Sequence, residues 1–549
     1  MNMSKNIYII LILIIALSFT ACSGQLLPDE TFQEDEEEEI VIENYDPAEG
    51  GNLKLAVTRF NTANPLFNSN KSLQQFQHLV FEGLVAFNHE MDLEPALAEN
   101  WTISPDGQSI DFALRKDVRW HDGQPFTSQD VIFTFQAIKG TLKDLKGTSI
   151  YRGSLQQVSD MKAIDDDIVR VTFTRPFSNG LEVMTFPILP KHLFEGNKII
   201  TLNNEDFPLV GTGPYQLEGY QRMKKIQLKK NNNYWGQKPY IDTVEVLIVP
   251  DVEAKLSLFE NGDVDVARPT SIDWGRYADN RRVNAYEFVS NDYEFIGFNF
   301  RNKLLQNEAV RKAFAYGVDR HAIVRNVYLN NATVTDVPIN PQLWLYSDEA
   351  GVQYGYSVDT ANALLEGAGF TKDYVDLYRK NEAGETLTFK LITNKGNTLR
   401  EKTAYFIKDE MAAIGIKIEV EFLEWEDFNE AISRGNFDIL LGGWELAPVP
   451  DLTFAFHSSQ IGGTNYIAYN NEEMDTLLEN ASRARNRQEK LETYQKLQFH
   501  IANELPYLSL FFQNNGILVR DHVKGEKHPH DINIYKGIEN WYINTKIIQ

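Results

Sequence analysis

Residues 399–441 read LREKTAYFIKDEMAAIGIKIEVEFLEWEDFNEAISRGNFDILL, and within them the apolar period switches repeatedly. From Leu399 to Ile414 apolar positions recur at helical spacing, and Gly415 stands where helix ends favour glycine. Ile416, Ile418, Val420 and Phe422 then alternate with polar neighbours, as a half-buried strand does. Glu426 to Ser433 predicts a short helix broken by Gly435, and Phe437 to Leu441 predicts a buried strand. Helix and strand in alternation point to an α/β sheet with helices packed on it.

The same grammar extends outward. Thr127, Asp130 and the apolar Val131-Ile132-Phe133 match a capping box. Ala254 to Glu260 reads as a helix, Asn261-Gly262 as its end, and Val264 and Val266 as the strand after it. Leu53, Leu55 and Val57 alternate, so order is expected from about Gly51. No internal repeat and no second membrane segment is found.

The chain has 549 residues, enough for several domains, and its 43% hydrophobic and 12% aromatic content builds large cores. A net charge of −24 repels phosphate backbones, and no basic aromatic cluster offsets it, so nucleic acid is excluded as a partner.

Lys5 is the only charged side chain before the single cysteine, Cys22. The apolar run from Ile7 to Leu17 suits an export signal and is short of the roughly 18 residues that a membrane span needs. Thr20-Ala21-Cys22 looks like a bacterial lipobox, although Phe19 replaces the usual leucine. Cys22 is therefore expected to carry the lipid that tethers the protein to the outer face of the cell membrane. With Cys22 acylated, no thiol remains for a disulfide, a nucleophile or a sulfur-ligated metal. Glu34 to Glu39 are six like charges that repel and extend, as a tether would.

Enzyme motifs are missing: there is no GxSxG elbow, HExxH helix, Walker loop or dinucleotide fingerprint. In Gly211-Thr212-Gly213-Pro214-Tyr215 the proline blocks a phosphate cradle at a helix start. His528-Pro529-His530-Asp531 reads as a surface loop rather than a metal site, and Asp263 and Asp265 lack the other ligands of a calcium loop. The pattern favours a protein that binds over one that catalyses, with no cofactor.

One set of residues is more specific. Phe81-Glu82-Gly83-Leu84-Val85, Glu94 to Trp101, Asp106-Gly107, Leu114-Arg115, Trp120-His121-Asp122-Gly123 and Phe126 to Val131 occur in order. Gly211 to Tyr215, Asn233-Tyr234-Trp235, Val310 to Tyr316, Val318-Asp319-Arg320, Ala363-Leu364-Leu365 and Ala368-Gly369-Phe370 come after them along the chain. This series resembles the family 5 extracellular solute-binding proteins, which feed oligopeptide, dipeptide and nickel ABC importers. These residues read chiefly as scaffold: His121 as a turn, Trp101 and Trp120 as core, Arg311 as a solvated or salt-bridged helix face.

The resemblance implies a bilobal clamp with an additional inserted domain, built from non-contiguous segments. The expected division is a signal peptide (1–21), an acidic tether (22–50), lobe I (51–92, 205–270 and 510–549), domain II (93–204) and lobe III (271–509). It also implies a monomer that captures oligopeptides between its lobes and delivers them to ABC permease and ATPase subunits. Nickel chelates or another small solute are the alternative ligands, and a cell-surface hydrolase is the alternative of another class. The family's ligand loop maps onto Gly442 to Asp451. Gly443-Trp444 matches its Gly-Trp, while Pro450-Asp451 reverses its Asp-Pro. Asp451 is thus the expected partner of a peptide's ammonium group, with Glu445 as rival and Trp444 beside them. Asp451 could equally cap the Leu452–Phe456 segment.

Overall fold

In the computed structural model, the helix opening the 399–441 stretch runs Thr398–Ala413. Asn397 caps it by accepting from the Arg400 N–H, and Gly415 beyond its end takes φ +86°. The strand Lys417–Leu423 comes next, then the helix Trp425–Arg434, which Gly435 ends at φ +70°. The next strand spans Ile439–Glu445 rather than 437–441. Antiparallel pairing carries it onward, from Phe298↔Ile439 to Asp292↔Glu445. Residues expected in a loop are therefore held in a ladder.

The structure describes residues 46–142, 145, 147–194, 207–269, 274–277, 280–372 and 377–544. Cys22, the signal segment and the glutamate run lie outside the described residues, as do the expected domain junctions at 204/205 and 270/271. The compact folded unit begins at Pro47.

Three main sheets organise it. Asn52–Thr58 pairs in parallel with Thr243–Val249, and Lys225–Lys230 and Tyr215–Gln221 complete a four-stranded sheet. A second four-stranded sheet takes Ala98–Ile103, Ser109–Leu114, Ile168–Phe173 and Val158–Ala163 in that spatial order. The third, of seven strands, holds Thr388–Asn394, Lys417–Leu423 and Ile439–Glu445 beside two long strands, Val283–Phe298 and Tyr507–Arg520.

One continuous core joins the first two sheets, with Leu53, Val246 and Tyr215 of the first packing in the same cluster as Phe112, Val171 and Phe186. The seven-stranded sheet has a core on each face, one around Phe314, Leu391 and Leu441, the other around Phe295, Leu440 and Phe456. The two long strands run between these bodies. Phe288, Ile517 and Val519 lie in the first core, while Ile296, Phe298, Leu508 and Leu510 lie in the third sheet's core. The ladder between them breaks register between Val289 and Tyr293. A bulge there bends the ribbon and frees backbone groups. Asn340 takes up the slack, donating its amide to the carbonyls of Val289 (3.2 Å) and Ser290 (3.1 Å).

The motif residues form the scaffold as expected, with two corrections. Thr127 and Asp130 make a reciprocal capping box, and Asp130 also accepts from the Trp120 indole and the Lys191 N–H. The His121 ring bonds Gly213 O (3.0 Å) and the Gly211 N–H (3.1 Å). Arg311, however, is buried at 3% exposure rather than on a solvated face. Its guanidinium donates to the carbonyls of Leu305, Gln306 and Glu504, satisfying helix-end acceptors that would otherwise be orphaned. His530 is buried as well, not on a surface loop, because its Nδ1 accepts from the Asn533 N–H and burial holds the ring neutral.

Candidate ligand-binding cleft

The cleft lies where the ladder breaks. It encloses about 340 Å³ and is lined from three sides. The helix Lys71–Gln77 supplies Lys71, Gln74 and Gln75, the segment before the strand Val158–Ala163 supplies Ile150 and Tyr151, and the 445–448 segment supplies Glu445, Leu446 and Pro448. This volume falls within the roughly 300–1,000 Å³ of small-ligand sites.

Each wall is fixed locally. Asn70 caps the Lys71–Gln77 helix at the Leu73 N–H, and its amide donates to Thr58 Oγ1 and Arg59 O, pinning the helix to the end of the first strand. The 445–450 segment is tied at both ends. Leu446 N–H donates to Asn291 O (3.0 Å), Asn179 donates to Val449 O (3.0 Å), and Tyr494 donates to Pro450 O (2.9 Å).

The floor carries charge. Asp531 pairs with Arg268 at 3.3 Å and accepts from the Asn291 N–H at the register break. Burial pushes its carboxyl up, and Arg268 opposes that shift. Glu82 accepts from Thr212 (2.7 Å), Tyr234 (2.9 Å) and the Trp235 indole (3.0 Å), so three motif segments meet at one carboxylate. Burial raises its pKa while the three donors hold it down. Across the cleft, Lys71 Nζ lies 2.7 Å from Glu445 Oε1.

The three residues expected at the site are separated. Glu445 lines the cleft. Trp444, its neighbour on the strand, faces the other way, as alternation requires. Trp444 stacks on Phe295 and Tyr466 and meets Phe454 edge-on. Asp451 lies beyond Pro448 and is not among the cleft's lining residues; its Oδ1 accepts from the Thr453 N–H at 3.0 Å. Gly443 has a separate reason. A Cβ there would collide with the Arg400–Glu294 pair beneath the strand, which makes two bonds of 2.8 Å.

Lys71, Gln75, Arg268, Asn291 and Asp531 were not legible as site residues. They come from positions up to 460 residues apart (71 to 531), and only tertiary structure gathers them. Among the described residues no group of three His, Cys, Asp or Glu is placed to hold a metal ion.

A second seam joins the same two bodies. Lys490, buried at 6% side-chain exposure, donates to Glu182 Oε1 (2.6 Å) and Ser178 O (2.9 Å). Ser178 N–H in turn donates to Ser482 O (2.9 Å), and Arg487 grips Asp92 through both oxygens. The two bodies thus meet at this seam as well as at the Lys71–Glu445 pair.

The model of the bacterial extracellular solute-binding proteins, family 5 (middle region), matches residues 92–465. The chain is 27% identical to the oligopeptide-binding protein AppA of Bacillus subtilis over 548 residues, 97% of each chain. The solved structure of that protein with a nonapeptide superposes with TM-score 0.63 at 26% identity, over 91% of this chain and all of the other. NikZ from Campylobacter jejuni, solved with Ni(L-His), gives TM-score 0.66 at 26% identity, over 89% of this chain and 99% of the other. With most of its length inside the family's model and a two-bodied clamp around a charged cleft, this chain belongs to the bacterial extracellular solute-binding proteins of family 5.

Proposed function

We propose that this protein is the ligand-capturing subunit of an ABC importer, taking up oligopeptides between its lobes and handing them to permease and ATPase subunits. It acts as a monomer without catalysis. The observation that carries the reading is the cleft itself. A carboxylate, Glu445, sits at the end of a strand of one body and faces a helix of the other, so a ligand that touches both favours the closed form. Similarity to an oligopeptide-binding protein along the whole chain supports peptides as ligands. Glu445 is the residue we assign to the peptide's ammonium, since a buried cation needs a partner. Asp451 is assigned to its turn with Thr453.

Peptide binding is tested by thermal unfolding of the full chain. A ligand that binds only the folded state stabilises it by about 2.7 kcal/mol at 100 times Kd. Mixed peptides of two to nine residues are expected to raise the midpoint, and nickel with histidine to leave it unchanged. The reverse pattern would turn the assignment to a metal chelate, the ligand class that the NikZ similarity favours.

We further propose that Cys22 carries the lipid and holds the protein on the outer face of the cell membrane. Cys22→Ser is expected to abolish lipid labelling and to release the protein from the membrane fraction. Equal retention of the variant would remove the lipid from the account.

A further inference from the structure

We propose that Lys71 is the ligand's second anchor: it takes a carboxylate of the bound ligand, and its ion pair with Glu445 is the contact that the ligand opens and replaces. The inference rests on the peptide reading above and adds what selects among peptides.

Two full cations, Lys71 and Arg268, line the cleft among the described residues. Arg268 is committed. Its carboxylate partner Asp531 is 17% exposed and also holds the Asn291 N–H at the register break, so separating that pair would disturb the ribbon between the lobes. Glu82 is committed too, with three donors on its carboxylate. The Lys71–Glu445 pair differs on both counts. Its side chains are 59% and 56% exposed, so solvent screens the pair and opening it costs little. It also joins the two bodies directly, where a captured ligand has to insert.

Opening the pair leaves one cation and one anion facing the cleft. A ligand with an ammonium alone would satisfy Glu445 but would sit beside an uncompensated Lys71. A ligand that also carries a carboxylate exchanges one ion pair for two and leaves no charge unpaired. Lys71 lines the cleft, and its Nζ lies 2.7 Å from Glu445 Oε1, which lines it too. The carboxylate can be the ligand's C-terminus or an acidic side chain; the chemistry at Lys71 is the same.

The test is calorimetric titration of the full chain and of Lys71→Met. The ligands are trialanine, its C-terminal amide, and the amide of Ala-Glu-Ala. The wild type is expected to bind trialanine at least tenfold tighter than its amide. Lys71→Met should lose that preference and should bind the amide tighter than the wild type does, because the cation competing for Glu445 is gone. A purely structural role for Lys71 would weaken every ligand alike, and that outcome overturns the proposal. A gain for the Ala-Glu-Ala amide over the trialanine amide would show that an acidic side chain reaches Lys71; no such gain beside the trialanine preference would confine the carboxylate to the terminus, and both keep Lys71 in its role. Equal wild-type affinity for all three peptides overturns this inference while leaving peptide capture intact. No binding of any of the three overturns both.

Discussion

A Cβ built on Gly211 would overlap the carbonyl oxygen of Val80 and come within 2.6 Å of its carbon. The approach is backbone against backbone, so no rotamer change relieves it. Gly211 has no left-handed φ; proximity alone demands glycine. That contact lets Gly213 N–H donate to Val80 O (3.0 Å) and Tyr215 N–H to Leu79 O (3.0 Å), and it brings Thr212 onto Glu82. Overpacking a tight site costs about 1–3 kcal/mol and sometimes more, and here the shift would also break the bonds around Glu82. Gly211→Ala is therefore expected to lower the urea midpoint strongly, by the equivalent of about 3 kcal/mol. Gly153→Ala, where a Cβ meets nothing within 4 Å, should stay within about 0.5 kcal/mol of the wild type. Similar midpoints for the two variants would contradict the close-approach account.

At the scale of elements, legibility tracked sequence distance. The helices Val252–Asn261, Thr398–Ala413 and Trp425–Arg434 lie within a residue or two of expectation, and Ser128–Lys139 starts at the cap expected at Thr127. Their caps and apolar faces are local signals, contained in a dozen residues. The strands Val283–Phe298 and Tyr507–Arg520 gave no comparable signal. Their partners are about 200 residues away in the chain, as in Phe288↔Asn515, and they pass between cores, so no single inward face repeats. The same cause explains the site. The strand Ile439–Glu445 runs past Leu441 because Tyr293 and its neighbours extend the ladder, and that extension decides which side chain reaches the cleft. Alternation then sends Trp444 into the aromatic core and Glu445 into the gap. The Gly-Trp pair was legible, but its register against a distant strand was not. Asp451, expected from the match to the family's ligand loop, falls six residues beyond Glu445 in a turn that uses its carboxylate locally.

For the whole molecule, stability between pH 4 and 7 is a contest between two sets of buried groups. Burial lowers His78 and His121 to about 4 and His530 to about 3. Unfolded, each would bind a proton near pH 6.5, so these histidines make stability fall as pH drops from about 6.5 towards 4. Buried carboxyls act in the opposite sense. Burial, with the Asp319 carboxylate behind it, pushes Glu410 up to about 7, against the pull of the Asp319 N–H that donates to it at 2.9 Å. Its folded pKa lies above the unfolded value of 4.5, so its contribution is full in acid and is lost as pH rises from about 4.5 through 7. Glu410→Gln isolates that term, since glutamine keeps an acceptor for the Asp319 N–H and carries no charge to desolvate. Each pKa unit corresponds to about 1.4 kcal/mol, and partial exposure of this helix residue reduces the total to about 1–2 kcal/mol. Glu410→Gln is therefore expected to unfold at a higher temperature than the wild type at pH 8. The gap should be nearly closed by about pH 4.5, where wild-type Glu410 is protonated when folded and half protonated when unfolded. A variant less stable than wild type at pH 8, or a gap that does not change with pH, would mean that the ionised carboxylate is stabilised in place by the Asp319 N–H and that the histidines alone set the acid limb.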